Sequence, residues 1–211
     1  MGAAMHGNVT LGIGLALLAV LGAVIGSRLP PEYRSRLGPS IQTVATIWAF
    51  SGLHFTLVVL AAVEPTWPFS LPTPLAPGSG LVLATVGAAV YVSAAAAFRS
   101  LKRMSGVETT RLVTEGIYRW SRNPQAVGWA LVLVGLGLIR ESAAVLLLAA
   151  VFWLSFRLYL PLEEELLRRI FGDAYETYLR RTHRYFGFPR SVAQKEHDGD
   201  AADQDAASRR S

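Results

Sequence analysis

The sequence predicts an all-α integral membrane protein with about five transmembrane helices, the N-terminus outside, the C-terminus cytoplasmic, and interfacial helices near the C-terminal end. Three observations carry this expectation. Hydrophobic residues make up 52% of the 211 positions and charged residues 17%, and most charges lie outside a few long apolar runs. A bilayer core of roughly 30 Å needs about 20 helical residues, and runs at 9–26, 41–63, 79–98 and 143–162 meet that need, with a shorter one at 124–139. The connections between runs alternate between basic and non-basic, as the positive-inside bias requires.

Taken in order, the run at 9–26 reads as a retained helix. Met1 to Asn8 carries no Lys or Arg, and no small-residue cleavage site closes a short apolar core. The connection at 27–40 holds Arg28, Arg34 and Arg36, whereas 64–78 has no Lys or Arg, which assigns the first connection to the cytoplasm. Pro65, Pro68, Pro72, Pro74 and Pro77 stiffen the outer loop, and Trp67 and Phe69 suit the outer interface. The segment from Arg99 to Arg122 carries six basic residues and the part from Arg168 onward nine, so the remaining loops agree. The 124–139 run spans about 24 Å, and Arg140-Glu141-Ser142 turns it tightly into 143–162. The last run extends past Arg157, whose long side chain can snorkel to the interface. Residues 1–191 are expected to form one membrane domain, with interfacial helices at about 163–185, and the polar segment 192–211 a disordered tail.

Five apolar helices would leave no amphipathic layer to face water, so membrane insertion is preferred over a soluble bundle. The partner this implies is the lipid bilayer, in a membrane of the bacterial plasma type. The absence of cysteine removes disulfides, thiolate metal sites and Cys nucleophiles, and no metal site is expected. The net charge of +5 sits in loops beside membrane helices, where lipid head groups explain it better than nucleic acid. Gly22 and Gly26 read as close packing within one chain, so no dimer is inferred and the oligomeric state stays open. His54, in the middle of the second run, reads as a neutral side chain hydrogen-bonded to a neighbouring helix.

Two clusters carry possible chemistry. The segment from Leu112 to Gln125 leads straight into the fourth run, with Ser121 or Asn123 as candidate caps and Pro124 at a position that needs no N–H. The same helix start, beside Arg122, offers free amides and partial positive charge to an anion. The second cluster is Glu163-Glu164-Glu165, followed by Arg168 and Arg169. Such a run is commonly a solvated, self-paired face. Neighbours on a helix point about 100° apart, however, so Glu163 or Glu164 can turn toward the bundle. Counted from Glu141, Asn123 lies 18 residues back and Glu163 lies 22 forward, which puts them within roughly 6 Å in height across the hairpin. A carboxylate then faces an Arg-flanked helix start, an arrangement suited to a zwitterion. Farther on, apolar and basic residues alternate from Leu166 to Arg184, divided by Gly172.

On these residues the sequence resembles the superfamily of isoprenylcysteine carboxyl methyltransferases and phospholipid methyltransferases. The likeness runs over about 99–189. Leu112-Val113, Gly116, Tyr118-Arg119 and Arg122-Asn123-Pro124 stand before the hairpin, and Glu163-Glu164 leads to Phe171-Gly172, Tyr175 and Tyr178 after it. Asn123 stands where the family usually has His, and Ala126 where it usually has Tyr.

The resemblance implies S-adenosylmethionine as methyl donor, bound near the cytoplasmic face, with methyl transfer to a hydrophobic small-molecule or lipid-like acceptor carrying a carboxylate or an amine. It also implies that Gly116, Tyr118, Arg122, Asn123, Pro124, Glu163 and Glu164 contact or shape the cofactor site, with Tyr175 and Tyr178 as further candidates. Arg122 and Glu164 are the expected catalytic pair: Arg122 would position a carboxylate acceptor, and Glu164 or water would take the proton of an amine. Two other readings remain open at this stage, a divergent scaffold or binding protein of the same fold and a sterol-reductase-like NADPH enzyme.

Overall fold

A computed structural model of the chain describes residues 2–36, 38–71, 75–98 and 112–190. Among the described residues the helices are α1 (Gly2–Ser35), α2 (Ile41–Val63), α3 (Leu75–Phe98), α4 (Pro124–Ile139), α5 (Ala143–Phe171) and α6 (Asp173–Arg181), with a 3-10 turn at Gly116–Arg119. Four helices are long and apolar enough to cross a membrane, and α4 is a shorter apolar helix of 16 residues. The chain is an all-α integral membrane protein. The basic positions Arg99, Lys102, Arg103 and Arg111 and the expected tail at 192–211 lie outside the described residues.

The four long helices and the shorter α4 alternate between two ends of a bundle. At one end the α4–α5 turn meets the end of α2 and the loop that follows it. Arg140 donates to the carbonyls of Ala62 at 2.6 Å and Val63 at 3.3 Å, which the end of α2 leaves without helical partners. Ser142 caps α5 by accepting from the Val145 amide, and its hydroxyl lies within 3.1 Å of the carbonyls of Ala61 and Thr66. The loop docks on the turn through Phe69 N to Glu141 O and Ala143 N to Trp67 O. The start of α1 is at this same end, where Trp67 Nε1 donates to Asn8 Oδ1 at 3.0 Å. At mid-bundle, His54 Nε2 is 2.9 Å from the Leu148 carbonyl, with rings of Phe50 and Phe152 beside it, so the histidine is a buried tie between α2 and α5.

Helix α3 leans on α4 through glycine. A Cβ added to Gly87 would stand 2.6 Å from Gly128 O, and one added to Gly135 would stand 2.6 Å from both Ala84 N and Gly80 O. Gly80 faces Gly135 and Gly87 faces Gly128, seven residues apart on each antiparallel helix, so the two backbones touch. This seam fixes the height of the start of α4. Gly22 and Gly26 of α1 are not such a seam: a Cβ at Gly22 would reach only the Phe50 ring at 3.8 Å, and one at Gly26 would meet nothing within 4 Å. The close approach on α1 is at Gly14, against Leu57.

Three helices run past the limits expected from hydropathy. Helix α1 continues through Pro30 and Pro31 to Ser35, so much of the expected 27–40 loop is helical. Each proline removes a helical hydrogen bond, and tertiary packing offsets that loss: Leu29 and Tyr33 are buried, the Tyr33 and Tyr159 hydroxyls are 2.6 Å apart, and Arg169 donates to the carbonyls of Tyr33 and Arg34. Glu32 accepts from Ser40 N at 2.7 Å and Thr43 Oγ1 at 2.8 Å, tying this end of α1 to the start of α2. Helix α3 starts at Leu75 rather than 79. Helix α5 does not stop at 162 but runs through Pro161 and the acidic cluster to Phe171. It stops at Gly172, whose φ of 51° and ψ of −129° favour glycine. The helical part of the expected 163–185 segment ends at Arg181, and residues 182–190 form a non-helical strap that bends at 182 and over 184–186.

Gly128→Ala is expected to force α3 away from α4, at a cost of about 1–3 kcal/mol. Gly26→Ala, in open space, should leave stability unchanged or slightly higher. Thermal unfolding of both variants in detergent checks this, and equal midpoints would contradict the glycine seam.

Candidate functional site

At the other end of the bundle, the Gly116–Arg119 turn, the start of α4, the Glu163-Glu164 stretch of α5, α6 and the strap meet. Gly116 sits at φ 61°, a left-handed value that favours glycine, and reverses the chain before the turn. Tyr118 is buried, and its carbonyl accepts from the Tyr178 hydroxyl at 2.8 Å. Tyr175 and Tyr178 are one turn apart on the inner face of α6, with ring centroids 6.1 Å apart. Burial pushes the phenols of Tyr118, Tyr175 and Tyr178 well above their usual pKa, which keeps all three neutral.

Glu164 is the centre of the cluster. It is 2% exposed, and both its oxygens are engaged. Arg184 from the strap forks onto it, with Nε 3.1 Å from Oε1 and Nη2 2.6 Å from Oε2. Arg122, just before α4, places Nη1 3.1 Å from Oε1. These bonds raise the Arg184 pKa above its ordinary value. One carboxylate against two guanidiniums leaves the ion-pair network itself one positive charge in excess, which the Glu163 carboxylate beside it offsets when ionised. The geometry makes Glu164 a counter-ion first, and an amine's proton would have to displace a guanidinium to reach it.

Asn123 is the N-cap residue of α4 by position, yet neither it nor Ser121 caps the helix through its side chain. The Asn123 amide Nδ2 donates to the Arg184 carbonyl at 2.9 Å, and the Ser121 hydroxyl accepts from Asn123 N at 3.0 Å. Pro124 is buried at the first helical position, and Ala126 is buried two residues on. Among the described residues, two buried side-chain donors lack hydrogen-bond partners: Arg122 Nε and Gln125 Nε2. Both flank the uncapped start of α4. An orphaned buried donor costs about 1–3 kcal/mol, so a pair of them beside a helix start marks a place for an acceptor. Glu163 is half-buried, points to another side of α5 than Glu164, and adds its charge to the field at Tyr118.

The structure thus brings Tyr118, Arg122, Asn123, Pro124, Glu164, Tyr175 and Tyr178 together. Gly116 shapes the approach from an exposed position, and Glu163 lies beside the group rather than in its ion-pair network. Sequence reasoning missed Arg184 and Gln125. Arg184 read as one more basic residue of an amphipathic helix, and no Gly or Pro announces the break after Arg181. Gln125, beside Pro124, had a readable signal: a polar side chain in the first turn of an otherwise apolar helix.

Hairpin, ion-pair cluster and strap define a helical membrane protein with a polar, cation-rich site at one edge of its bundle. Residues 77–174 match the family described as phospholipid methyltransferase. The chain is 29% identical over 109 residues to a probable protein-S-isoprenylcysteine O-methyltransferase of Oryza sativa subsp. indica, covering 49% of this chain and 57% of the relative. It is 36% identical over 114 residues to the nickel-cobalt-cadmium resistance protein NccN of Alcaligenes xylosoxydans xylosoxydans, covering 51% of this chain and 46% of the relative. It is 31% identical over 91 residues to protein-S-isoprenylcysteine O-methyltransferase B of Arabidopsis thaliana, covering 43% and 46% respectively. The chain spans about half the length of the curated relatives it matches. The likeness to isoprenylcysteine and phospholipid methyltransferases thus runs over the α3-to-α6 part of the chain, which holds the ion-pair cluster.

Glu164→Leu leaves two guanidiniums facing each other without their counter-ion. Loss of one partner of a buried pair costs about 3–5 kcal/mol, and the partial exposure of Arg184 lowers that to about 2–3 kcal/mol. Arg184→Leu should cost less, because Arg122 remains on the carboxylate. Chemical denaturation in detergent checks the order of the two losses; a Glu164→Leu variant as stable as the parent would remove Glu164 from its central place.

Proposed function

We propose that the protein is an S-adenosylmethionine-dependent methyltransferase acting on a hydrophobic or lipid-like acceptor, with its site on the cytoplasmic side of the membrane. The observation that carries this reading is the pair of orphaned donors, Arg122 Nε and Gln125 Nε2, at the uncapped start of α4, inside the segment matched to phospholipid methyltransferases. Likeness to a family does not by itself fix chemistry; the donor set narrows it.

The residues fit the cofactor's amino-acid end. Its carboxylate needs convergent donors, which Arg122, Gln125 and the free amides of the helix start provide. Its ammonium needs an acceptor, and Glu163 is the carboxylate nearby that holds no guanidinium. The buried phenols Tyr118, Tyr175 and Tyr178 offer apolar ring surface beside neutral hydroxyls. When bound, S-adenosylmethionine supplies an electrophilic methyl group on a sulfonium, a leaving group that needs no further activation.

The protein's own part is placement. Arg122 and Gln125 fix one end of the donor, and Glu164 holds Arg122 in place for that task. The wall of tyrosines and the apolar bundle exclude water, so that nucleophile and methyl donor meet in line, which is proximity catalysis. A carboxylate acceptor needs no base and is drawn by the excess positive charge of the Arg122–Glu164–Arg184 group. An amine acceptor must release a proton, to Glu163 or to solvent, before it attacks. An acceptor with a long apolar part reaches such a site through the lipid, and the head group then stops at the bundle edge.

Purified protein incubated with methyl-labelled S-adenosylmethionine and a membrane lipid extract is expected to place label in the lipid fraction, with the labelled head group revealing carboxylate or amine. Label that stays entirely with the donor across extracts of several compositions would overturn the reading.

A further inference from the structure

The strap does two things at once. Its backbone closes the site: Arg122 N donates to His183 O at 2.9 Å, Gly187 N to Trp120 O at 3.0 Å, and Arg190 N to Arg181 O at 2.9 Å, while Arg184 carries the fork to Glu164. Its rings face outward. Phe186 is 59% exposed and Phe188 78%, and both pack on Trp120, with centroids 6.3 and 5.4 Å from it. Arg119, Arg181 and Arg190 are exposed around this group, and residues 182–190 contain no acidic side chain. Aromatic rings ringed by arginines, in a chain that crosses a membrane, match the chemistry of the interfacial belt, where rings lie at head-group depth and guanidiniums meet phosphate.

Depth supports the same occupant. Arg184 reaches Glu164, while Tyr185 packs on Trp153 with centroids 5.0 Å apart. Trp153 precedes Glu164 by eleven residues on α5, roughly 16 Å along the helix. Trp153 belongs to the charge-free part of α5 that ends before Arg157, where Leu154 is exposed. The strap backbone therefore runs below the level of Glu164, alongside surface that only lipid would cover.

We propose that the strap, with Trp120, is a membrane anchor whose aromatic rings insert into the head-group layer of an anionic bilayer and thereby hold Arg184 on Glu164. The second half of this statement rests on the proposed function; the insertion itself does not. In this arrangement the lipid surface is part of the site's closure, and removing it frees the strap together with Arg184 and the Asn123–Arg184 contact.

The absence of cysteine makes the test direct. Phe188→Cys and, as a control on the polar side of α6, Asp173→Cys would each carry an environment-sensitive fluorophore in full-length protein reconstituted in nanodiscs containing phosphatidylglycerol. Nitroxide placed on the lipid head group should remove more than half of the emission at 188 and little at 173, and a water-soluble quencher should show the reverse order. Equal lipid quenching at both sites, or quenching at 188 only from water, overturns the anchor; protection of 188 from both quenchers would mean that protein covers the patch and would overturn it as well. Phe186→Ser/Phe188→Ser should then weaken S-adenosylmethionine binding several-fold in nanodiscs. Unchanged affinity would overturn the coupling of anchor to site, whereas failure of the parent protein to bind S-adenosylmethionine would count against the proposed function and leave the quenching result to decide insertion.

Discussion

The site end of this structure depends on one buried carboxylate. Glu164 is the point at which three separately placed pieces of chain are tied: α5, which carries it; the approach to α4, which sends Arg122; and the strap, which sends Arg184. A carboxylate that is almost fully buried is costly unless paired, so each piece is held to the position where a guanidinium can reach it. The backbone contacts that accompany the ion pairs, Arg122 N to His183 O and Asn123 Nδ2 to Arg184 O, follow from that approach. So does the opening left at the start of α4. The Asn123 side chain is drawn to the strap and cannot cap the helix, and the orphaned donors of Arg122 and Gln125 remain beside it.

That tie needs a rigid frame. The α4–α5 turn is pinned by Arg140 and Ser142 at the far end, which sets the relative height of the two helices, and the glycine seam sets α4 against α3. Backbone-to-backbone contact tolerates little sliding, because carbonyls and amides sit where side chains would otherwise cushion them. The short α4 thus presents its first turn at the height of Glu164. The extended end of α1, fastened to α5 by the Tyr33–Tyr159 hydroxyl pair and by Arg169, braces the other side of the same region. Fold and site are linked in this sense: the apolar frame decides which polar groups meet, and the polar groups decide where the strap lies.

Much of this was legible in the sequence. Long charge-free runs identify membrane helices because backbone satisfaction in lipid leaves few alternatives, and hairpin arithmetic alone brings Asn123 to the level of Glu163. What hydropathy could not read was where helices end. It stops at the first charge or proline, whereas α1 passes Pro30-Pro31 and α5 passes Pro161 because packing outweighs the local loss. Nor could periodicity distinguish Glu163 from Glu164; which one turns inward depends on the location of Arg122 and Arg184, a tertiary fact. Arg184 was hidden for a related reason: a basic residue in a basic, amphipathic stretch looks like a solvated face until a buried acid claims it. The α3–α4 seam was written in plain sight at Gly80, Gly87, Gly128 and Gly135, but small residues acquire meaning only once two helices are known to be neighbours.

In the function proposed for this site, the Glu164-held Arg122 and Gln125 together form the binding place for the donor at the start of α4. Calorimetric titration of S-adenosylmethionine against protein in phosphatidylglycerol nanodiscs decides this, with the parent compared to Glu164→Ala and to Gln125→Leu, a change that leaves both ion pairs standing. Saturable binding by the parent, none by Glu164→Ala and clear weakening by Gln125→Leu are expected; unchanged affinity in Glu164→Ala would rule this binding place out.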